Sequence, residues 1–287
     1  MIDLHTHSNC SDGSLTPAQL LRAAEKAGVT AIALCDHNTV AGLPEFMAAG
    51  EESPLEAVPG VEFSVDYQGE ELHIVALWLP RESWPSVTER LEQLRRDKEE
   101  SNKALVAALR AGGYGITYEE VLAVAGGEWV NRAHVARVLT EKGYTPSVKE
   151  AFAKLLGRSD GFYVPPKLPD AFETISFIKS KGAVAVLAHP LLSMKEEQLR
   201  EFLPAASAAG LDAIETMYST FDRETTENLR NMAAQFGLLE SGGSDFHGVA
   251  KPDICIGTGK GKLMVGDAVL EPLRRRKRRG IRRRKAK

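Results

Sequence analysis

IDLHTHSNCSDG, residues 2–13, runs a short strand-like apolar segment straight into a cluster of histidines and acids. In an extended segment His5 and His7, two residues apart, can point the same way, so that both ring nitrogens reach one cation. Asp12 follows in the loop. Six further apolar, β-branched runs recur downstream: AIALCD at 31–36, AVPGVEF at 57–63, LHIVALWL at 72–79, AVAVLAHP at 183–190, DAIET at 212–216 and LLESGGSD at 238–245. Seven strands are thus expected. Helical patterns lie between most of them, as in TPAQLLRAAEKAG at 16–28, where Thr16 can cap, Pro17 suits the first turn and Gly28 can end the helix. Strand and helix in alternation predict an α/β fold with a parallel sheet or barrel.

The alternation breaks after Leu79. A charged helical segment from about 86 to 112 leads into a largely helical stretch that ends near VPPKLPD at 164–170, and strand-helix alternation then resumes. The expected organisation is a barrel from 1–97 and 171–273, an inserted all-α subdomain at 98–170, and a basic, disordered tail at 274–287. No internal repeat interrupts this pattern.

With 287 residues, 43% of them hydrophobic and 26% charged, the chain can build one large domain or one domain with an insertion. No run reaches the roughly 18 apolar residues of a membrane span, and no charged region followed by an apolar segment opens the chain. Cys10, Cys35 and Cys255 are scattered and form no C-x-x-C pair, so neither a disulfide framework nor a zinc ribbon is indicated, and a reducing cytoplasm is expected. The net charge of −3 conceals an asymmetry: residues 274–287 hold eleven Lys or Arg, and the remainder sets 25 bases against 39 acids, a balance of −14. An acidic body suits divalent cations better than nonspecific nucleic-acid binding, whereas the tail could engage RNA phosphates or stay a bystander arm.

Of seven histidines, six stand at or just beyond a predicted strand end, usually beside a carboxylate or a second histidine. Asp36 and His37 close the second strand, Glu62 the third and His189 the fifth; His73 lies in the fourth, and Asp245 with His247 follows the seventh. Each alone has a plainer reading: His73 as a satisfied core histidine, Glu62 as a surface acid, an isolated HxH as chance. Together, nine such groups gathered without a cation would cost several kcal/mol in desolvation and repulsion. Asp36 reads as an orienting carboxylate, Cys10 and Cys35 as packing residues, and Glu215 and Tyr218 as either pocket lining or structure.

HTHSNCSDG at 5–13, LCDHNT at 34–39, PGVE at 59–62, His73, AHP at 188–190 and GSDFH at 243–247 resemble the motifs of the polymerase and histidinol phosphatase (PHP) family. The resemblance implies a distorted seven-stranded barrel with two to three divalent metals, Mn²⁺ first and Fe²⁺ or Zn²⁺ as alternatives. It implies that His5, His7, Glu62 and Asp245 hold one metal, that Glu62 bridges to a second held by His73 and His189, and that Asp12, His37 and His247 hold a third. His189, Glu62 and Asp245 are the implied catalytic residues. The insertion resembles the branch that includes 3′,5′-nucleoside bisphosphate phosphatases and 5′-to-3′ exoribonucleases. In NRAHVARVLTEKGY at 131–144, Arg132 and His134 are candidate substrate contacts, with Lys167 a further one; the plainer reading is a helix start capped by Asn131. The expected activity is hydrolysis of a phosphoester in a small nucleotide or short 5′-phosphorylated oligoribonucleotide. Histidinol phosphatase, an amidohydrolase and a nucleic-acid-binding PHP module without turnover are the alternatives.

Overall fold

Every apolar run forms a strand in the computed structural model, which describes residues 1–126, 130–157 and 161–285. The strands β1 (Ile2–Thr6), β2 (Ala31–Leu34), β3 (Glu56–Tyr67), β4 (Glu70–Leu77), β5 (Val184–Leu187), β6 (Ala213–Tyr218) and β7 (Leu239–Gly243) lie in one sheet in chain order. Where the sequence predicts parallel pairing throughout, β4 instead runs antiparallel to both β3 and β5. The reason is local. Gln68 and Gly69, with φ of 54° and 85°, turn β3 directly into β4, and so short a connection cannot make the crossover of a dozen or more residues that parallel strands need.

The sheet closes into a barrel through the segment after β7. Asp245 donates its backbone N–H to His5 O at 2.8 Å, and His7 donates to Phe246 O at 2.9 Å. Gly243 permits this approach, because a Cβ there would overlap the Cβ and backbone nitrogen of His5. Ile2, Leu4, Val58, Leu77, Val184, Val186 and Val265 pack in one buried cluster, each side chain contributing about 1.5–3 kcal/mol of burial.

Helices α1 (Pro17–Ala27), α2 (Leu43–Glu51), α7 (Ala171–Lys181), α8 (Glu196–Ala209) and α9 (Arg223–Gln235) follow the strands as the alternation predicts. Thr16 and Gln19 form a capping box on α1, and Gly28 ends it in the left-handed region. α10 (Leu270–Lys285) is helical through most of the basic stretch where the sequence predicts disorder. Leu270 and Leu273 are buried in the core and Arg274 pairs with Glu56, so the helix starts from an anchored turn.

The chain divides into two compact units, one of residues Met1–Thr88 with Leu168–Lys287, the other Glu89–Lys167; the sequence reading sets the insertion at 98–170. α3 (Trp84–Ala111) leads into the second unit, followed by α4 (Tyr118–Ala125), α5 (Arg132–Glu141) and α6 (Val148–Lys154). Among its described residues every regular element is a helix. Leu105, Leu109, Ile116, Val135, Leu139 and Leu156 form its own core. Thr117, Asn131 and Ser147 cap α4, α5 and α6 through their side chains. Among the described residues no helix is long and apolar enough to cross a membrane.

Candidate metal centre

The nine sequence-predicted ligands converge in the first unit. β1, β2 and β3 run parallel, so His5 and His7, His37, and Glu62 arrive at one end of the barrel. β4 brings His73 to the same end because it runs the other way: His73 lies near the start of β4, and its carbonyl accepts from Ala188 N, next to His189. Four overlapping groups have ligand atoms within 4.8 Å of one another: His7, Asp12, His37 and His247; His5, His7 and Asp245; His5, Glu62 and His189; His37, Glu62 and His73.

Glu62 is fully buried at the hub, and its two oxygens face different partners. Oε1 lies 2.8 Å from His73 Nδ1 and 3.1 Å from His189 Nε2. Oε2 lies 3.0 Å from His37 Nδ1 and 3.3 Å from both His5 Nε2 and His7 Nε2. Asp12 Oδ1 stands 3.2 Å from His247 Nε2, and its Oδ2 is 3.8 Å from His37 Nε2. His37 therefore adjoins both Glu62 and Asp12, where the resemblance assigns it to the Asp12 group alone.

These residues fit a cluster of divalent cations. His5 Nε2, both ring nitrogens of His7, His37 Nδ1, Glu62 Oε2, His73 Nδ1 and His189 Nδ1 are buried and make no hydrogen bond. Buried polar atoms are nearly always satisfied, and neutral imidazole with carboxylate suits first-row divalent metals. The backbone is also strained here: His189, at φ 27° and ψ 54°, and Asp245, at φ 56°, occupy the positive-φ region at a cost of about 1–3 kcal/mol each, a frequent mark of functional sites.

Titration follows the same geometry. Burial opposes charge on His5, but the Glu62 and Glu215 carboxylates outweigh it and hold that ring well above the ordinary histidine value. Burial is likewise outweighed at His7 by Asp245 and Glu62, and at His73 by Glu62 and Glu71, raising each to about 9. At His37 desolvation prevails over Glu62 and Asp12 and lowers the ring to about 4. Burial would raise Glu62, Asp12 and Asp245, yet the surrounding imidazoles hold all three well below the usual carboxylate range.

A surrounding layer of hydrogen bonds fixes these candidate ligands. His5 Nδ1 donates to Glu215 Oε1 at 3.2 Å, leaving Nε2 toward Glu62, and Glu215 Oε2 accepts from His189 N at 2.8 Å. Tyr218 OH donates to Asp245 Oδ2 at 2.8 Å, and His247 Nδ1 donates to Asp245 O at 2.8 Å, turning Nε2 to Asp12. Asp36 accepts from Ser8 N, Ser8 Oγ and Ser11 Oγ at 2.6–2.7 Å, so it holds the loop that carries Asp12. Two participants escape the sequence reading. Asp3 is buried and ties Ser244 N and Gly257 N to β1, and Lys251 Nζ reaches Asp245 Oδ2 at 2.6 Å; nothing in the spacing of either residue marks it.

Arg132, His134 and Lys167 belong to the second unit. Arg132 opens α5, with its guanidinium 4.3 Å from the Tyr163 ring centroid and a hydrogen bond to Leu156 O. His134 is buried, and its Nδ1 accepts from Asn131 N at 3.2 Å to complete the α5 capping box.

The PHP domain pattern matches residues 3–164. A 5′-3′ exoribonuclease of Haemophilus influenzae is 34% identical over 246 residues, covering 85% of this chain and 89% of that protein. A 3′,5′-nucleoside bisphosphate phosphatase of Chromobacterium violaceum is 30% identical over 249 residues, covering 86% of this chain and 87% of that protein. A solved structure from Bifidobacterium adolescentis, of a protein assigned as a metal-dependent phosphoesterase, superposes with a TM-score of 0.82 at 30% identity over 96% of both chains.

Proposed function

Because the chain belongs to the PHP domain family, we propose that it is a metal-dependent phosphoesterase acting on small nucleotides. Its reaction is release of phosphate from a 3′,5′-nucleoside bisphosphate, stepwise 5′-to-3′ cleavage of short 5′-phosphorylated oligoribonucleotides, or both. The observation that carries this reading is the division of Glu62 between two sets of imidazoles, the arrangement a carboxylate shared by two cations requires. Divalent cations bound there would supply hydroxide at neutral pH and stabilise charge on the phosphoryl oxygens; Mn²⁺ suits the mixed donor set, with Fe²⁺ or Zn²⁺ able to replace it.

In this proposal His5, His7, Glu62 and Asp245 hold one cation, Glu62 with His73 and His189 a second, and Asp12, His37 and His247 a third. His189, Glu62 and Asp245 stand closest to the chemistry. Glu215 and Tyr218 keep His5, His189 and Asp245 aimed. Arg132, His134 and Lys167 bind the anionic substrate, Arg132 through the planar fork that matches phosphate oxygens.

The test is phosphate release from 3′-phosphoadenosine 5′-phosphate and from histidinol phosphate by protein reconstituted in Mn²⁺, with chelated protein as the control. Metal-dependent turnover of the bisphosphate supports the nucleotide reading. Turnover of histidinol phosphate alone transfers the protein to the other branch, and turnover of neither leaves a binding module. The basic run 274–287 is proposed to touch RNA phosphates in the cytoplasm. Deleting it should weaken RNA binding at low salt, and equal affinity with and without it rejects the contact.

A further inference from the structure

We propose that Lys251 is a phosphate-binding residue of this centre, donating from its ammonium to a non-bridging oxygen of the phosphoryl group. The inference rests on the phosphoesterase reading. Its starting point is the way Asp245 is divided. Oδ1 faces the ligand cluster, 3.2 Å from His7 Nε2 and 3.4 Å from His247 Nδ1. Oδ2 has different partners: it accepts from Tyr218 OH at 2.8 Å and from Lys251 Nζ at 2.6 Å. The ammonium therefore lies just outside the ligand set, separated from its inner face by the width of one carboxylate.

The backbone holds it there. Lys251 follows the short 3₁₀ turn Gly248–Ala250, its N–H donates to Gly248 O at 3.0 Å, and its carbonyl accepts from Ile254 N at 3.0 Å. Val249 N donates to Ser14 Oγ at 3.0 Å, fastening the turn to the loop after β1. Gly248, at φ 66°, is needed for that approach, since a Cβ would collide with Ser14 Oγ. Both ends of the Lys251 peptide are thus fixed, and the fold determines where the side chain starts.

The chemistry then favours an anion. The side chain is 38% exposed while its tip touches a nearly buried ligand carboxylate, so it joins solvent to the metal cluster. A lysine ammonium has three N–H donors, and the contact with Asp245 engages one. With cations in the cluster the negative charge of Asp245 would be shared with them, and the other two N–H donors of Lys251 would be left for a phosphoryl oxygen bound beside that carboxylate.

The experiment uses the full chain reconstituted in Mn²⁺ and inorganic phosphate as the probe. Dissociation constants come from calorimetry and metal content from elemental analysis, for the wild type, Lys251→Met, Lys251→Gln and Lys251→Arg. Loss of one charge-assisted hydrogen bond predicts a dissociation constant raised on the order of 10-fold in the Met and Gln variants, at full metal content, and largely restored by Arg. Unchanged phosphate affinity in a metal-replete Met or Gln variant overturns the proposal. So does lost metal in those variants, because Lys251 would then serve only to position Asp245. Phosphate binding needs no turnover, so a protein that binds phosphate through Lys251 but hydrolyses no phosphoester refutes the enzymatic reading alone.

Discussion

His5 and His134 are both buried, one in the barrel unit and one in the helical unit, and they meet the cost of burial in different ways. His134 uses Nδ1 to accept the Asn131 N–H, so its ring completes the end of its own helix. His5 ties Nδ1 to Glu215 and leaves Nε2 buried with no hydrogen bond, among carboxylates and other imidazoles. The contrast extends through both units. Side chains of Thr117, Asn131 and Ser147 satisfy the helix starts of the second unit, whereas the barrel concentrates unsatisfied atoms at one end. Burial alone does not mark a candidate ligand; a buried ring nitrogen with no hydrogen bond, as at His5 and His7, does.

Removing the hub should have the largest effect. Glu62→Gln keeps the shape and loses the shared charge, and we expect turnover to fall by more than about 10³-fold, roughly 4 kcal/mol of transition-state stabilisation, with fewer metal ions bound per chain. Full metal content in that variant would break the distinction between hub and periphery. Glu215→Gln touches only the aim of His5 and His189, and metal affinity is expected to drop about 10- to 100-fold in chelator competition. An unchanged affinity would reduce Glu215 to packing.

The metal-free barrel should also respond to pH in a defined way. His7 and His73 are raised to about 9 in the fold, so their pairing stabilises fully below the unfolded value of about 6.5 and is lost as pH climbs through about 9. Glu62, Asp12 and Asp245 are depressed, so their contribution is present above about pH 4 and is lost on further acidification. His37, lowered to about 4, adds a contribution that is complete above about pH 6.5 and lost toward pH 4, so apo protein should unfold at its highest temperature near pH 6.5, with the midpoint falling from there to pH 9. Metal binding at neutral pH should release protons, seen as a buffer-dependent calorimetric heat; a heat independent of buffer contradicts the raised values.

The smallest changes lie in the helical unit. Asn131→Ala should cost about 1 kcal/mol in denaturant unfolding and leave metal content alone. Arg132→Ala should raise KM for the bisphosphate at constant metal content; unchanged kinetics would remove that residue from the substrate site and leave it to its contact with Tyr163.

Much of this was legible in the sequence. Strand positions emerged because apolar β-branched runs have few other uses, and the nine candidate ligands that the fold brings together because their side chains are chemically distinctive and recur at strand ends. The direction of β4 was misread, although Gln68-Gly69 stood between two runs with no room for a crossover helix. Helicity beyond residue 274 was missed because like charges suggest a solvated arm, while Leu270 and Leu273 anchor the helix only once a core exists to receive them.

Composition, spacing and residue type by themselves determined the α/β class, the number of strands and the inventory of metal-competent groups, since periodicity and side-chain chemistry are properties of the chain. Which oxygen of Glu62 faces which imidazole, the hold of Glu215 on two ligands, and the place of Lys251 beside Asp245 were decided by tertiary structure. Some of those contacts join residues far apart in the chain, 210 positions in the case of His5 and Glu215, others near neighbours such as Asp245 and Lys251, and the directions of all depend on backbone angles and burial that no local pattern encodes.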